Sequence, residues 1–123
     1  MKQLVILPLL IVMSLSKPLQ DQVITVLPLN KFIALTKDKD VQLIDVRTPE
    51  EFKQGHIINA KNIDFFSQNF DVQFENLDKS KPVYIYCRSG NRSGKAAIKL
   101  AKKGFVKILD LEGGYLNYSK NNH

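Results

Sequence analysis

The chain has 123 residues, enough for one domain with a modest core. Its apolar fraction of 44% and charged fraction of 24% are ordinary for a soluble globular protein, so the body is expected to fold. The net charge is +6, but no basic run is longer than two residues, which reads as solvated lysines on helix faces and speaks against nucleic acid as a partner.

The first 22 residues, "MKQLVILPLLIVMSLSKPLQDQ", stand apart. One lysine precedes an apolar run, Leu4 to Leu15, of 12 residues, where a membrane-spanning helix needs roughly 20. The run fits the core of a secretory signal peptide, and Ser14 and Ser16 supply small residues for cleavage after Ser16. Residues 1–16 are therefore read as a signal peptide and 17–22 as a polar linker, with the domain at 23–120. The alternative is an uncleaved tail packed against the domain. Export would place the protein in the periplasm or secrete it, with no stable membrane insertion after cleavage. Lys2 is the one charged residue removed, so the net charge would fall from +6 to +5.

"VITVL", 23–27, is a short β-branched run. "PLNKFIALTKDKD" follows with Leu29, Phe32, Ile33 and Leu35 near helical spacing and Pro28 suited to a first turn. "VQLIDVR", 41–47, reads as a buried strand. "TPEEFKQG" carries Thr48 as N-cap, Pro49 at the first helical position, Glu51 three residues after the cap and Gly55 at the stop, a capping box on a short helix. "AKNIDF" suggests a further short strand, and 65–77 an irregular or helical stretch. "KPVYIYC", 81–87, is a second buried strand, ending on the cysteine. Residues 93–103 place Ala96, Ala97, Leu100 and Ala101 on one face of an amphipathic helix that Gly104 ends. "VKILDL", 106–111, is the last strand, and "EGGYLNYSK" a turn and a short helix. Strands alternating with helices predict an α/β domain with a mainly parallel sheet. In such sheets sites lie beyond the carboxyl ends of the strands, where Cys87 and Asp45 both fall.

Cys87 is the only cysteine, so an exported chain offers it no disulfide partner of its own. It opens the loop "CRSGNRS" between a strand and a helix expected to start near Ser93. Gly90 permits a tight turn, backbone N–H groups converge, and the helix adds its positive end. Together with Arg88 and Arg92 these favour a thiolate nucleophile and an anionic substrate. The plainer alternative is a buried, inert cysteine that caps a strand.

These residues carry a resemblance. "CRSGNRS" resembles the active-site loop of the rhodanese family, Cys-Arg-x-Gly-x-Arg. "LIDVRTPEEFKQGHIINAKNI", 43–63, resembles the family's Asp-Val-Arg…Glu-Phe…Gly-His-Ile…Ala-x-Asn-Ile signature, and "LEGGYLNY", 111–118, its terminal Glu-Gly-Gly segment. The chain departs from the family at Asn59-Ala60, where Gly-Ala is frequent, at Asp64, where proline is, and at Tyr118, where tryptophan is. All three lie outside the loop.

The resemblance implies an α/β domain with a parallel five-stranded sheet and helices on both faces. It implies sulfur transfer: Cys87 takes the outer sulfur of thiosulfate or a similar small anionic donor. The resulting persulfide is cradled by Arg88, Ser89, Gly90, Asn91 and Arg92, and a thiol or cyanide accepts the sulfur. No cofactor is expected, and the sequence offers no ligand cluster for a metal. Asp45 and Arg47 are read as an ion pair that anchors the loop, and His56 as a structural histidine bonded to neighbouring backbone. Arg88 is expected at the entrance facing the anion. Arg92 either does likewise or braces the loop through Glu51 or Asp45. Gly113 and Gly114 are read as a turn near the pocket, and Lys95 as solvated. Two other functions are weighed. A cysteine-dependent phosphatase uses Cys-x5-Arg, whereas this loop is Cys87-x4-Arg92. A non-catalytic binding module usually lacks the cysteine.

Overall fold

The computed structural model describes residues 2–5, 8 and 23–121. Most of the expected signal segment, 1–16, and all of the linker, 17–22, lie outside the described residues. Among the described residues, no helix is long and apolar enough to cross a membrane.

Five strands form one parallel sheet: β1 (Ile24–Leu27), β2 (Gln42–Asp45), β3 (Lys61–Asn62), β4 (Val83–Tyr86) and β5 (Ile108–Leu111), in the order β1-β5-β4-β2-β3. Among the described residues, five helices connect and follow them: α1 (Leu29–Thr36), α2 (Pro49–Gln54), α3 (Phe70–Phe74), α4 (Asn91–Lys102) and α5 (Gly114–Lys120). The two central strands, β4 and β5, are buried along their whole length because helices cover both sheet faces. Alternate side chains supply the two cores. Val83, Ile85, Cys87 and Ile108 face α3 and α4, and Phe70, Phe74 and Phe105 fill that side with edge and tilted ring contacts. Tyr84, Tyr86, Leu109 and Leu111 face the other way, with Phe32 of α1, Phe52 of α2 and Tyr115 of α5.

Local chemistry explains most boundaries. Thr48 accepts the Glu51 N–H and Glu51 accepts the Thr48 N–H, so the capping box read from "TPEE" is formed and starts α2. In α4 the buried side chains are Ser93, Ala96, Ala97 and Leu100, three of them small, which lets the helix lie close on β4 and β5. Three details differ from expectation. Pro28 caps α1 rather than opening it, and Leu35 is exposed while Thr36 is buried. The helix in 65–77 is confined to 70–74. And α4 begins at Asn91, two residues earlier than expected, so Asn91 and Arg92 belong to its first turn.

The parallel register brings the carboxyl ends of β2, β4 and β5 together. Asp45, Cys87 and the Gly113-Gly114 turn all follow from those ends.

Candidate active site

Strand β4 delivers Cys87 to the carboxyl end of the sheet, where it is 1% exposed. Arg88, Ser89 and Gly90 then turn the chain into α4. Gly90 makes that turn possible, since it caps α4 at φ +114°, a conformation L side chains resist. Its N–H donates to Cys87 Sγ at 3.0 Å. The 12-residue α4 also directs its positive end at this point. An anionic sulfur on Cys87 therefore meets a donor and a dipole of the right sign.

The loop is held from outside by α5. Tyr115 N–H donates to the Cys87 carbonyl at 2.8 Å, and Leu116 N–H to the Arg88 carbonyl at 3.1 Å. These bonds need an approach that only glycine allows at Gly114. A Cβ there would lie 2.5 Å from the Cys87 oxygen and 2.6 Å from the Arg88 oxygen, and its φ is +59°. The expected turn at Gly113 and Gly114 is thus present, and it also orders the loop's carbonyls.

Beneath the loop lies the Asp45–Arg47 pair. Asp45 is fully buried and accepts from Arg47 N–H at 2.9 Å and from Arg47 Nη2 at 2.7 Å. Arg47 Nη2 also donates to the Gly55 carbonyl, and its guanidinium lies 4.1 Å from the Tyr115 ring centroid. Burial pulls the Arg47 pKa down, but Asp45 outweighs it and the net direction is up. The Tyr86 hydroxyl accepts the Ile57 N–H at 3.1 Å and hydrogen-bonds Asp45. Burial first, and then the Asp45 charge, push this phenol far up, so it stays neutral. These bonds tie the ends of β2 and β4 to the segment after α2.

Arg92 turns to Glu51, not Asp45. The pair is bidentate, Nη1 to Oε1 at 2.7 Å and Nη2 to Oε2 at 2.9 Å. Arg92 is the chief cause that holds the Glu51 carboxyl down at about 2. With Asp45 on Arg47 and Glu51 on Arg92, both cations are compensated. Arg88 is exposed and, among the described residues, has no carboxylate within ion-pair distance. It borders a cleft of about 270 Å³ shared with Arg47, Tyr115, Leu116 and Ser119. Ser89 and Asn91 are exposed, as is Lys95. His56 stacks on Phe52 with ring centroids 3.7 Å apart, and its Nδ1 meets the Phe52 carbonyl at 2.8 Å, so its ring is used structurally.

Sequence reading missed Tyr86 and Tyr115 as parts of this site. Tyr86 immediately precedes the cysteine, and Tyr115 follows the two glycines, so adjacency to those landmarks was the available signal. A tyrosine in an apolar strand reads as core, however, and only the packing reveals its hydroxyl partner.

Comparison with known proteins agrees with this geometry. A model of the rhodanese-like domain matches residues 29–121. An uncharacterized protein of Bacillus subtilis is 43% identical over 63% of this chain and 60% of its own length. A thiosulfate sulfurtransferase of Shewanella oneidensis is 32% identical over 72% of this chain and 86% of its own. A tRNA uridine(34) hydroxylase of Pelagibacter ubique is 38% identical over 74% of this chain, which spans only 31% of that protein. Among solved structures, a rhodanese-like domain protein from Staphylococcus aureus superposes with a TM-score of 0.66 at 31% identity, over 76% of this chain and 89% of that one.

Proposed function

The chain belongs to the rhodanese-like domain family, and on that premise we propose that it is a sulfurtransferase that carries sulfane sulfur as a persulfide on Cys87. The observation that carries this reading is the Gly90 N–H on Cys87 Sγ at the head of α4. Cys87 thiolate attacks the outer sulfur of thiosulfate, the sulfur–sulfur bond of the donor breaks, and sulfite leaves with the electron pair. The persulfide anion occupies the loop. A thiolate or cyanide then attacks its outer sulfur, and Cys87 thiolate leaves. Each half-reaction is a displacement at sulfur that conserves charge, so the scheme is two-step covalent catalysis. The relatives named as sulfurtransferases support this class of reaction.

The phosphatase alternative fares worse. The spacing Cys87-x4-Arg92 is one residue short, and the arginine that would clamp a phosphoryl group is engaged by Glu51. A non-catalytic module would not need the cysteine and its N–H donor together. Hydroxylation remains a property named for a relative of which this chain covers a third.

The test is mass spectrometry of the purified protein after thiosulfate treatment. We expect a gain of one sulfur atom on Cys87, and no gain in Cys87→Ser. A serine variant that still transfers sulfur to cyanide at the original rate would overturn the mechanism. Residues 1–16 are proposed independently as an export signal, checked by N-terminal sequencing of the native protein. An intact Met1 start in a cytosolic fraction would remove that proposal and leave the loop chemistry untouched.

A further inference from the structure

One buried acid near the site has no place in the scheme above. Asp110 is on β5 and is only 4% exposed. Its register partner on β4 is Ile85, two residues before Cys87. Side chains alternate along a strand, so Asp110 shares the sheet face of Ile108, Ile85 and Cys87, the face covered by α4. Its Oδ1 has no hydrogen-bond partner. The Ser93 hydroxyl, in the first helical turns of α4 and itself fully buried, hydrogen-bonds the carboxyl and favours its ionised form.

Ser93 Oγ also lies 3.3 Å from the Gly90 carbonyl, and the Gly90 N–H donates to Cys87 Sγ. The hydroxyl has one proton and two acceptors to serve. When Asp110 is ionised, that proton goes to the carboxylate, and the Gly90 carbonyl loses it. When Asp110 is protonated, it donates to Ser93 Oγ, and Ser93 donates to Gly90. The state of Asp110 is thus connected through Ser93 to the residue that holds the sulfur.

We infer that Asp110 is a positioning residue that sets the charge behind Cys87: its proton allows an anionic sulfur to form on the loop, and its loss opposes one. This rests on the sulfur-transfer reading, because it concerns how readily the loop is charged by an anionic donor. Asp110 is not alone in acting on this sulfur, because the Arg92 guanidinium also interacts electrostatically with Cys87. Val26 is the register partner on β1, and the other buried α4 residues on this face are Ala96, Ala97 and Leu100. Arg92, in the same turn of α4 as Ser93, is turned to Glu51. Burial raises the Asp110 carboxyl to about 6, with the Ser93 bond opposing it, so the proton changes hands within the physiological range.

The experiment uses two readouts of Cys87 across pH 4.5 to 9. One is the single-turnover rate of persulfide formation with thiosulfate. The other is alkylation by neutral iodoacetamide, which reports the thiolate whether or not the protein transfers sulfur. In the native chain, loading is expected to show an inflection near pH 6. In Asp110→Asn that inflection disappears, the alkylation curve moves to lower pH, and loading above pH 7 becomes several-fold faster. Ser93→Ala removes the bond that favours the ionised acid, so its inflection moves to higher pH. Unchanged profiles in both variants would overturn the inference while sulfur transfer stood. An alkylation shift in a protein that never forms a persulfide would overturn the functional reading and keep Asp110 in its role.

Discussion

At the scale of single residues, three arginines approach the Cys87 loop, and their pairing separates their roles. Arg47 and Arg92 each face a carboxylate at 2.7 Å. A compensated cation attracts an incoming anion weakly, so Arg47 and Arg92 are braces. Arg88 retains its charge, lies at the surface and borders the cleft. It is the residue fitted to recruit an anionic donor. Arg88→Ala should raise KM for thiosulfate about tenfold, equivalent to roughly 1.4 kcal/mol, with little change in kcat. A neutral polysulfide donor should be affected less. Steady-state kinetics with both donors decide the matter: equal losses would mean that Arg88 holds the loop rather than the substrate.

Among the elements, the tie between α2 and α4 is the most informative. Glu51 serves the N-terminus of α2 as a capping partner and the first turn of α4 as an ion-pair partner. Glu51→Gln separates these uses, because glutamine also suits the third position of a capping box. The Glu51 pKa is depressed in the folded protein, so its contribution is fully present above the ordinary value of 4.5 and lost as pH falls toward about 2. Its side chain is 26% exposed, so after screening the contribution is on the order of 1–2 kcal/mol. Urea denaturation at pH 7 should show the variant weaker by that amount, and the two proteins should converge near pH 2. A constant difference at all pH values would assign the loss to capping instead. This level of organisation was largely legible in the sequence. Alternating strands and helices, the box at Thr48 and the loop at Cys87 are local patterns, and local patterns survive folding. What was hidden was non-local or carried by unusual residue types. Thr36 took the buried place expected of Leu35 because its hydroxyl bonds the Phe32 carbonyl one turn back, which makes a polar residue acceptable in the core. The start of α4 lies two residues before the Ser93 expected from the amphipathic pattern, because its cap is Gly90 in a left-handed conformation without any side-chain bond, a signal weaker in sequence than a hydroxyl cap. The partner of Arg92 was half visible: the sequence offered Glu51 and Asp45, and no spacing rule reaches across the 41 residues that separate Arg92 from Glu51 to choose between them.

For the whole molecule, stability is a small difference of about 5–15 kcal/mol, so one ill-placed charge is felt globally. Asp110 is such a charge. Its carboxyl titrates near 6 when folded, against 3.8 as the ordinary value, chiefly because burial disfavours the ion. Between those values the folded chain binds a proton that the unfolded chain has lost. Stability must then fall as pH rises through that window. The size follows from the shift, about 3 kcal/mol, with little screening for a side chain 4% exposed. An orphaned Oδ1 on a central strand therefore makes the domain weaker at neutral pH than its apolar packing alone would leave it. A buried acid that costs stability on the sheet face that carries Cys87 is a candidate for a functional role. Asp110→Asn tests the cost without reference to any activity. The amide adds its own fixed penalty, so the quantity to follow is the stability difference between variant and native protein as a function of pH. That difference should shift by about 3 kcal/mol in favour of the variant between about pH 3 and pH 7, and stay level on either side. Parallel curves across the whole range would show that the acid titrates normally, and the charge behind Cys87 would have to be sought elsewhere.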